Sequence, residues 1–366
     1  MPYLIAPPIL PMLAKRVEAI PTGDDWLFEP KWDGFRAIIF RDGDELLIQS
    51  RDGKPLDRYF PELRSMLLAK LPAQCILDGE IVIVSPGAEG KAAALDFDAL
   101  QLRIHPAASR IKLLSEQTPA SIIFFDLLAA GSDDLREHSF TDRRARLESL
   151  LAAVQSPLHI TPITRDPAQA ADWFSRFEGA GFDGVMAKLA SSPYSPDKRT
   201  MLKVKHERDC DCVVAGFRWH KDGPQTLVGS LLLGLYDAHG KLQNVGTCSS
   251  FTAAKRKELV DFLAHYRVAS PAEAEAHPWA SWAADAPGSR MPGAKSRWTG
   301  SKDLSWEALR PELVVEVAYE HMQGDRFRHL AHFRRWRTDK APHDCTYEQL
   351  EVVAPQELQQ IFPDKR

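Results

Sequence analysis

The chain has 366 residues, of which 44% are hydrophobic and 26% charged, the make-up of a globular protein long enough for two domains. A formal net charge of -4 neither favours nor excludes a nucleic-acid partner, because binding depends on where the cations cluster. The opening Met1-Pro2-Tyr3-Leu4-Ile5-Ala6 has no basic leader and no long apolar run, and no segment approaches a membrane span. A cytoplasmic protein without membrane contact is expected, with Cys75, Cys210, Cys212, Cys248 and Cys345 reduced.

In chain order, residues 37–40 and 45–49 read as strands joined by an Asp42-Gly43 hairpin turn. Pro61 opens a helix over 61–71. Short strands at 75–77 and 81–84 flank Asp78-Gly79-Glu80, and 121–128 is a nearly continuous apolar strand. Helices at 142–154 and 168–177 precede strands at 184–189 and 201–205. Without a regular βαβ repeat, this half reads as α+β with antiparallel sheets.

Beyond residue 205 the texture changes. Strands are expected at 212–219, 227–237, 241–249, 313–319 and 327–337, with one helix at 253–266 capped by Thr252. Five strands and a helix match an oligonucleotide-binding (OB) barrel. Residues 268–298, rich in Ala, Pro and Gly, read as a long surface insertion. The expected domains are thus 1–205 and 206–366, with a hinge at 206–211. Cys210 and Cys212 share a strand face, and no further Cys or His pair follows at zinc spacing.

Chemistry concentrates in Glu29-Pro30-Lys31-Trp32-Asp33-Gly34-Phe35-Arg36. A free lysine has a pKa near ~10.4 and is almost wholly protonated at neutral pH. Partial burial and nearby cations favour the neutral, nucleophilic amine, whereas Asp33 opposes it. Arg36 is placed to hold a phosphate or ribose beside it.

Lys31-x-Asp33-Gly34-x-Arg36 resembles the nucleotide-loading motif of the covalent nucleotidyltransferases, which include ATP-dependent DNA ligases, RNA ligases and mRNA capping enzymes. In that family the lysine attacks the α-phosphate of a nucleoside triphosphate and keeps the monophosphate. The other motifs follow in the family's order. Ser50-Arg51-Asp52-Gly53 resembles the one whose arginine contacts the nucleotide. Asp78-Gly79-Glu80 resembles the one whose glutamate binds ribose, and Phe125-Asp126-Leu127 the one whose ring stacks on adenine. Asp183-Gly184-Val185-Met186-Ala187-Lys188 resembles the metal-binding motif, with aspartate where glutamate is usual. Lys203 and Lys205 match the lysines that grip the α-phosphate, and Arg199 a further nucleotide contact. Arg335-x-Arg337-x-Asp339-Lys340 resembles the ligase motif of the barrel domain, although His332 stands where many members have arginine.

The resemblance runs from Glu29 to Lys340, and the layout is most similar to the stand-alone bacterial ligases of the C type. It implies an ATP-dependent DNA ligase that seals nicks between a 5′-phosphate and a 3′-hydroxyl through lysyl-AMP and a DNA adenylate, in DNA repair. Lys31 is the nucleophile. Glu29, Arg36, Arg51, Glu80, Phe125, Arg199, Lys203, Lys205, Arg335, Arg337 and Lys340 bind the nucleotide, and Asp183 with Glu80 holds Mg2+ or Mn2+. Asp209 takes the pivot position in the hinge. The expected partner is nicked duplex DNA, with a Ku-type end-binding protein or a repair polymerase as recruiter, and the expected state is a monomer. The alternatives are an RNA ligase or capping-type guanylyltransferase, and a non-catalytic binding protein on the same scaffold.

Overall fold

The computed structural model describes residues 3–85, 94–176, 182–280 and 305–350. They divide into two compact units between His206 and Glu207. The first unit holds strands β1 (Leu13–Val17), β2 (Trp26–Pro30), β3 (Phe35–Asp42), β4 (Glu45–Ser50), β5 (Gln74–Val82), β6 (Val84–Ser85), β7 (Ala94–Leu95), β8 (Ser121–Ala130), β9 (Asp133–Asp134), β10 (Leu158–Ile160), β11 (Val185–Leu189) and β12 (Arg199–Val204). Its helices are α1 (Pro61–Lys70), α2 (Phe97–Leu102), α3 (Ala108–Gln117), α4 (Phe140–Leu150) and α5 (Pro167–Arg176). One sheet runs β1-β12-β11-β2; the other runs β10-β8-β5-β3-β4, with β9 beside β8. Both are antiparallel except for one parallel edge strand each, β1 on β12 and β10 on β8.

Strand β3 shows how alternation builds the core. Ala37 and Ile39 join the cluster that includes Leu63 and Leu67 of α1, whereas Ile38 and Phe40 enter a second cluster with Met12, Tyr194 and Met201. Both faces are therefore covered, and each buried aliphatic side chain contributes about 1.5–3 kcal/mol.

The second unit holds β13 (Arg208–His220), β14 (Gly223–Tyr236), β15 (Leu242–Cys248), α6 (Ala253–Ala264), α7 (Pro271–Ala276), β16 (Glu307–Tyr319), β17 (Met322–Gln323), β18 (Arg326–Phe327) and β19 (His332–Trp336). The strand order is β15-β14-β13-β16-β19. A bridge between Cys248 and Ala331 joins the two edges, and the Ala331 N–H donates to the Thr247 carbonyl at 2.9 Å. The sheet thus closes on itself as an OB barrel, with α6 between its third and fourth strands, capped by the Thr252 hydroxyl accepting from the Lys255 N–H.

Four expectations change. The Asp78-Gly79-Glu80 segment does not separate two short strands but is the interior of one, β5, and Gly79 is there because a Cβ would sit 2.7 Å from the Ile123 carbonyl. The single strand at 327–337 is two, because β18 pairs with β17 in a separate two-stranded sheet and only β19 joins the barrel sheet beside β16. The segment expected as a hinge, 206–211, is mostly strand: β12 ends at Val204 and β13 begins at Arg208, so Asp209 and Asp211 are strand residues paired with Ala318 and Glu316. Residues 281–298 of the expected insertion lie outside the described residues, and α7 occupies part of the rest. All five cysteines are free and buried, and the Cys210 and Cys212 sulfurs lie 3.8 Å apart on one face of β13.

Candidate active site

Lys31 follows the end of β2, where two backbone bonds hold it. Its N–H donates to the Gly184 carbonyl at 2.9 Å, and the Asp183 N–H donates to the Lys31 carbonyl at 3.0 Å. Gly184 makes that approach possible. Its φ is +127°, and a Cβ there would fall 2.0 Å from the Val204 carbonyl. The lysine ammonium rests on the Asp183 carboxylate, which also takes the Lys205 ammonium at 3.3 Å.

The cavity beside it, about 190 Å³, is lined by Glu29, Lys31, Arg36, Arg51, Glu80, Phe125, Arg199 and Lys203 among others, eight of the residues expected from sequence. Sheet register explains part of the convergence. Met186 pairs with Glu29 on one side and Lys203 on the other, so three strands present a row to the cavity. Phe125 gets there by a different device. Gly79 pairs with Phe124 and Asp78 with Asp126, which leaves Phe125 as the extra residue of a bulge. Such a bulge re-aims one side chain without disturbing its neighbours. The ring carries the Arg36 guanidinium 4.5 Å from its centroid and the Lys188 ammonium at 4.8 Å, an electron-rich face already attracting positive charge.

Arg36 is fixed from behind. Its Nε and Nη2 both donate at 2.6 Å to Asp78, a fully buried carboxylate that also accepts from the Tyr194 hydroxyl at 2.6 Å. Burial of the guanidinium is outweighed by this pairing, which raises its pKa.

Burial also presses Lys31 toward the neutral amine, as expected, but the carboxylate of Asp183, supported by Glu80 and Asp33, outweighs it and holds the lysine above its ordinary range. The opposition expected from Asp33 thus comes chiefly from Asp183, distant in sequence. Burial pushes the Glu80 carboxyl up to about 7 against the pull of Arg36 and Lys31.

Lys188 adds a cation not expected from the motifs: it is buried and pairs at 2.7 Å with Glu29, itself 3.6 Å from Arg144. The signal was available: Lys188 stands two residues from Met186 on a strand, hence on the cavity face. Arg335, Arg337 and Lys340 belong to the second unit. There Arg337 meets Asp211, Asp339 and Glu316, Lys340 meets Asp211 at 2.9 Å, and Arg335 meets Glu316 at 2.8 Å.

Comparison with known proteins bears on the whole chain. The family model of the ATP dependent DNA ligase domain matches residues 11–205, and that of the ATP dependent DNA ligase C terminal region matches residues 224–340. The chain belongs to the ATP-dependent DNA ligases. It is similar to DNA ligase C2 of Mycolicibacterium smegmatis, at 51% identity covering 95% of both chains. Against DNA ligase C of Mycobacterium tuberculosis the identity is 49%, covering 99% of both. A solved Lig E DNA ligase matches with a TM-score of 0.54 at 16% identity, over 90% of this chain and 99% of that one, which is a likeness of fold. These matches set aside the RNA-ligase, capping and non-catalytic alternatives: the ligase is an ATP-using enzyme. No helix among the described residues is long and apolar enough to cross a membrane.

Proposed function

We propose that Lys31 is the acceptor of AMP, and that the ligase uses it to seal nicks in duplex DNA in three transfers. The observation that carries this reading is the convergence of Lys31, Arg36, Glu80, Phe125, Arg199 and Lys203 on one cavity. In the first transfer the Lys31 nitrogen bonds to the α-phosphorus of ATP and the bond to pyrophosphate breaks. The 5′-phosphate oxygen at the nick then displaces the lysine nitrogen and takes the AMP. Finally the 3′-hydroxyl oxygen attacks that 5′-phosphorus, AMP leaves, and the backbone is closed.

Each transfer is phosphoryl chemistry, in which positioning and charge neutralisation dominate. Lys203, Lys205 and Arg199 neutralise the phosphates, Glu80 accepts from the ribose hydroxyls, and Phe125 stacks on the base. Arg335, Arg337 and Lys340 serve the first transfer by orienting the departing pyrophosphate. Asp183 keeps the Lys31 amine protonated, so attack requires that this carboxylate be neutralised.

Two buried or half-buried carboxylates, Asp183 and Glu80, fit a hard, oxygen-seeking cation. No group of three or more metal-ligating side chains occurs among the described residues. That donor set suits Mg2+ or Mn2+ brought with the triphosphate, because such ions take one or two carboxylates and complete their shell from phosphate and water. When bound, the ion would supply positive charge at the phosphates and relieve the two carboxylates.

Break repair is the proposed setting. An end-joining protein of Mycobacterium bovis, LigD, is 27% identical over 88% of this chain and 37% of its own. That likeness supports a Ku-type recruiter as partner. Five free, buried cysteines fit a reducing compartment such as the cytoplasm, where we place the enzyme. Incubation with ATP or GTP followed by peptide mass analysis tests the central step. AMP on Lys31 from ATP alone is expected, and an unmodified Lys31 would reject the assignment.

A further inference from the structure

We propose that Asp211, with Glu316 facing it across the sheet, is a positioning residue that fixes Arg337 and Lys340 for the first transfer. The inference rests on the reading that those cations orient pyrophosphate. Asp211 and Glu316 are direct cross-strand partners in β13 and β16. Two carboxylates opposite each other repel, and a sheet has no use for such a pair unless a cation lies between them. Arg337 is that cation: its Nη1 donates to both Asp211 oxygens at 3.0 and 2.9 Å and lies 3.4 Å from Glu316. Its Nε and Nη2 are held by Asp339 at 2.9 Å each. The guanidinium is thereby fixed in both position and plane.

The same Asp211 carboxylate accepts from Lys340 at 2.9 Å, so one side chain orders two of the motif's three cations. Glu316 orders the third, through two bonds from Arg335 at 3.1 and 2.8 Å. Asp211 is itself held, being only 8% exposed. The Gln349 side chain bonds its N–H and its carbonyl, each at 2.9 Å. Arg335 points outward, with a side chain 62% exposed. The result is a rigid plate of cations whose supporting carboxylates lie on the barrel wall. Charges that need not reorganise are the ones that stabilise a developing charge well. A locally unfavourable pair of carboxylates set directly opposite each other is the kind of inconsistency that marks a functional requirement.

The test uses the full-length ligase and the variants Asp211→Asn, Asp211→Glu and Arg337→Ala. Each is followed for AMP labelling at rising ATP and for closure of a pre-adenylated nick. Asp211→Asn is expected to slow labelling at saturating ATP by about tenfold or more, the scale on which outer partners of metal ligands act. Closure should be unchanged, and Asp211→Glu, which keeps the charge, should recover part of the rate. Adding Asp211→Asn to the Arg337→Ala, Lys340→Ala double variant should cost nothing further, since the aspartate acts only through those cations. If Asp211→Asn does not fold, Glu316→Gln must show the same split between labelling and closure, and its absence overturns the proposal. Equal loss of labelling and closure in Asp211→Asn marks a merely structural residue and also overturns it. So does normal labelling in Asp211→Asn beside a failing Arg337→Ala, whereas normal labelling in Arg337→Ala overturns the underlying reading of the motif.

Discussion

Lys31 and Asp183 are joined twice, once through the backbone, where the Asp183 N–H donates to the Lys31 carbonyl at 3.0 Å, and once through their charged side chains. Asp183 therefore both bonds the backbone of the proposed nucleophile and holds its proton. Burial pulls the lysine's pKa down, and the carboxylate more than reverses that pull.

Lys31→Ala should abolish AMP labelling and the sealing of ordinary nicks, while closure of pre-adenylated nicks continues. Only the first two transfers pass through the lysine nitrogen. Gel assays of labelling and closure on one preparation check this, and labelling of the variant would remove Lys31 from the mechanism.

Phe125→Ala should raise the KM for ATP with little change in melting temperature. Loss of stacking on one base is worth about 1–3 kcal/mol, and the bulge leaves Phe125 facing the cavity rather than the core on either side of β8. A variant that melts early with an unaltered KM would instead make Phe125 a packing residue.

Arg335→Ala with Arg337→Ala should cut AMP labelling by about a hundredfold, the scale of losing a charge-stabilising group. Closure of pre-adenylated nicks releases no pyrophosphate and should persist. Normal labelling with lost closure and a shallower salt dependence of DNA binding would identify both as backbone contacts to DNA.

Gly184→Ala should destabilise the first unit by roughly 1–3 kcal/mol or more. The positive φ and the 2.0 Å approach of the Val204 carbonyl leave no place for a methyl group. Urea unfolding followed by tryptophan fluorescence gives the value. A midpoint equal to that of the unaltered ligase would show that the loop adapts.

Stability should respond to His159. Burial pulls its pKa from an ordinary 6.5 down to about 4, so the unfolded chain takes up a proton there before the folded one does. The folded state has its full advantage above about pH 6.5 and loses it as pH falls toward 4. His159→Gln should flatten that slope relative to the unaltered ligase in urea titrations at pH 7, 6 and 5. Parallel slopes would assign the acid sensitivity to other groups.

Much of this architecture can be read from the residues. The apolar runs on either side of Asp42-Gly43 mark β3 and β4, and Lys203 falls on β12 as expected, whereas Lys205, expected on the same strand, lies just past its end. One error arises because close packing leaves the same mark as a break between strands. Gly79 sits in Asp78-Gly79-Glu80 because β8 passes within contact of its Cα, and β5 runs straight through. Strand β2 went unseen because Trp26-Leu27-Phe28-Glu29-Pro30 buries Glu29 as fully as its neighbours, so no polar residue marks an outer face. Lys188 escaped for the same reason: a buried lysine is legible only once its partner Glu29 is known.

All five cysteines are buried, and burial pushes the thiols of Cys75, Cys248 and Cys345 up to about 12. Thiolate is the species that reacts with maleimides, so these three sulfurs are silent toward such dyes near neutral pH, and burial keeps the other two out of reach. A cysteine introduced at an exposed position of either unit would take up a fluorophore alone. Dyes attached in that way would read chosen distances within the ligase, one molecule at a time, without first stripping the chain of its own thiols.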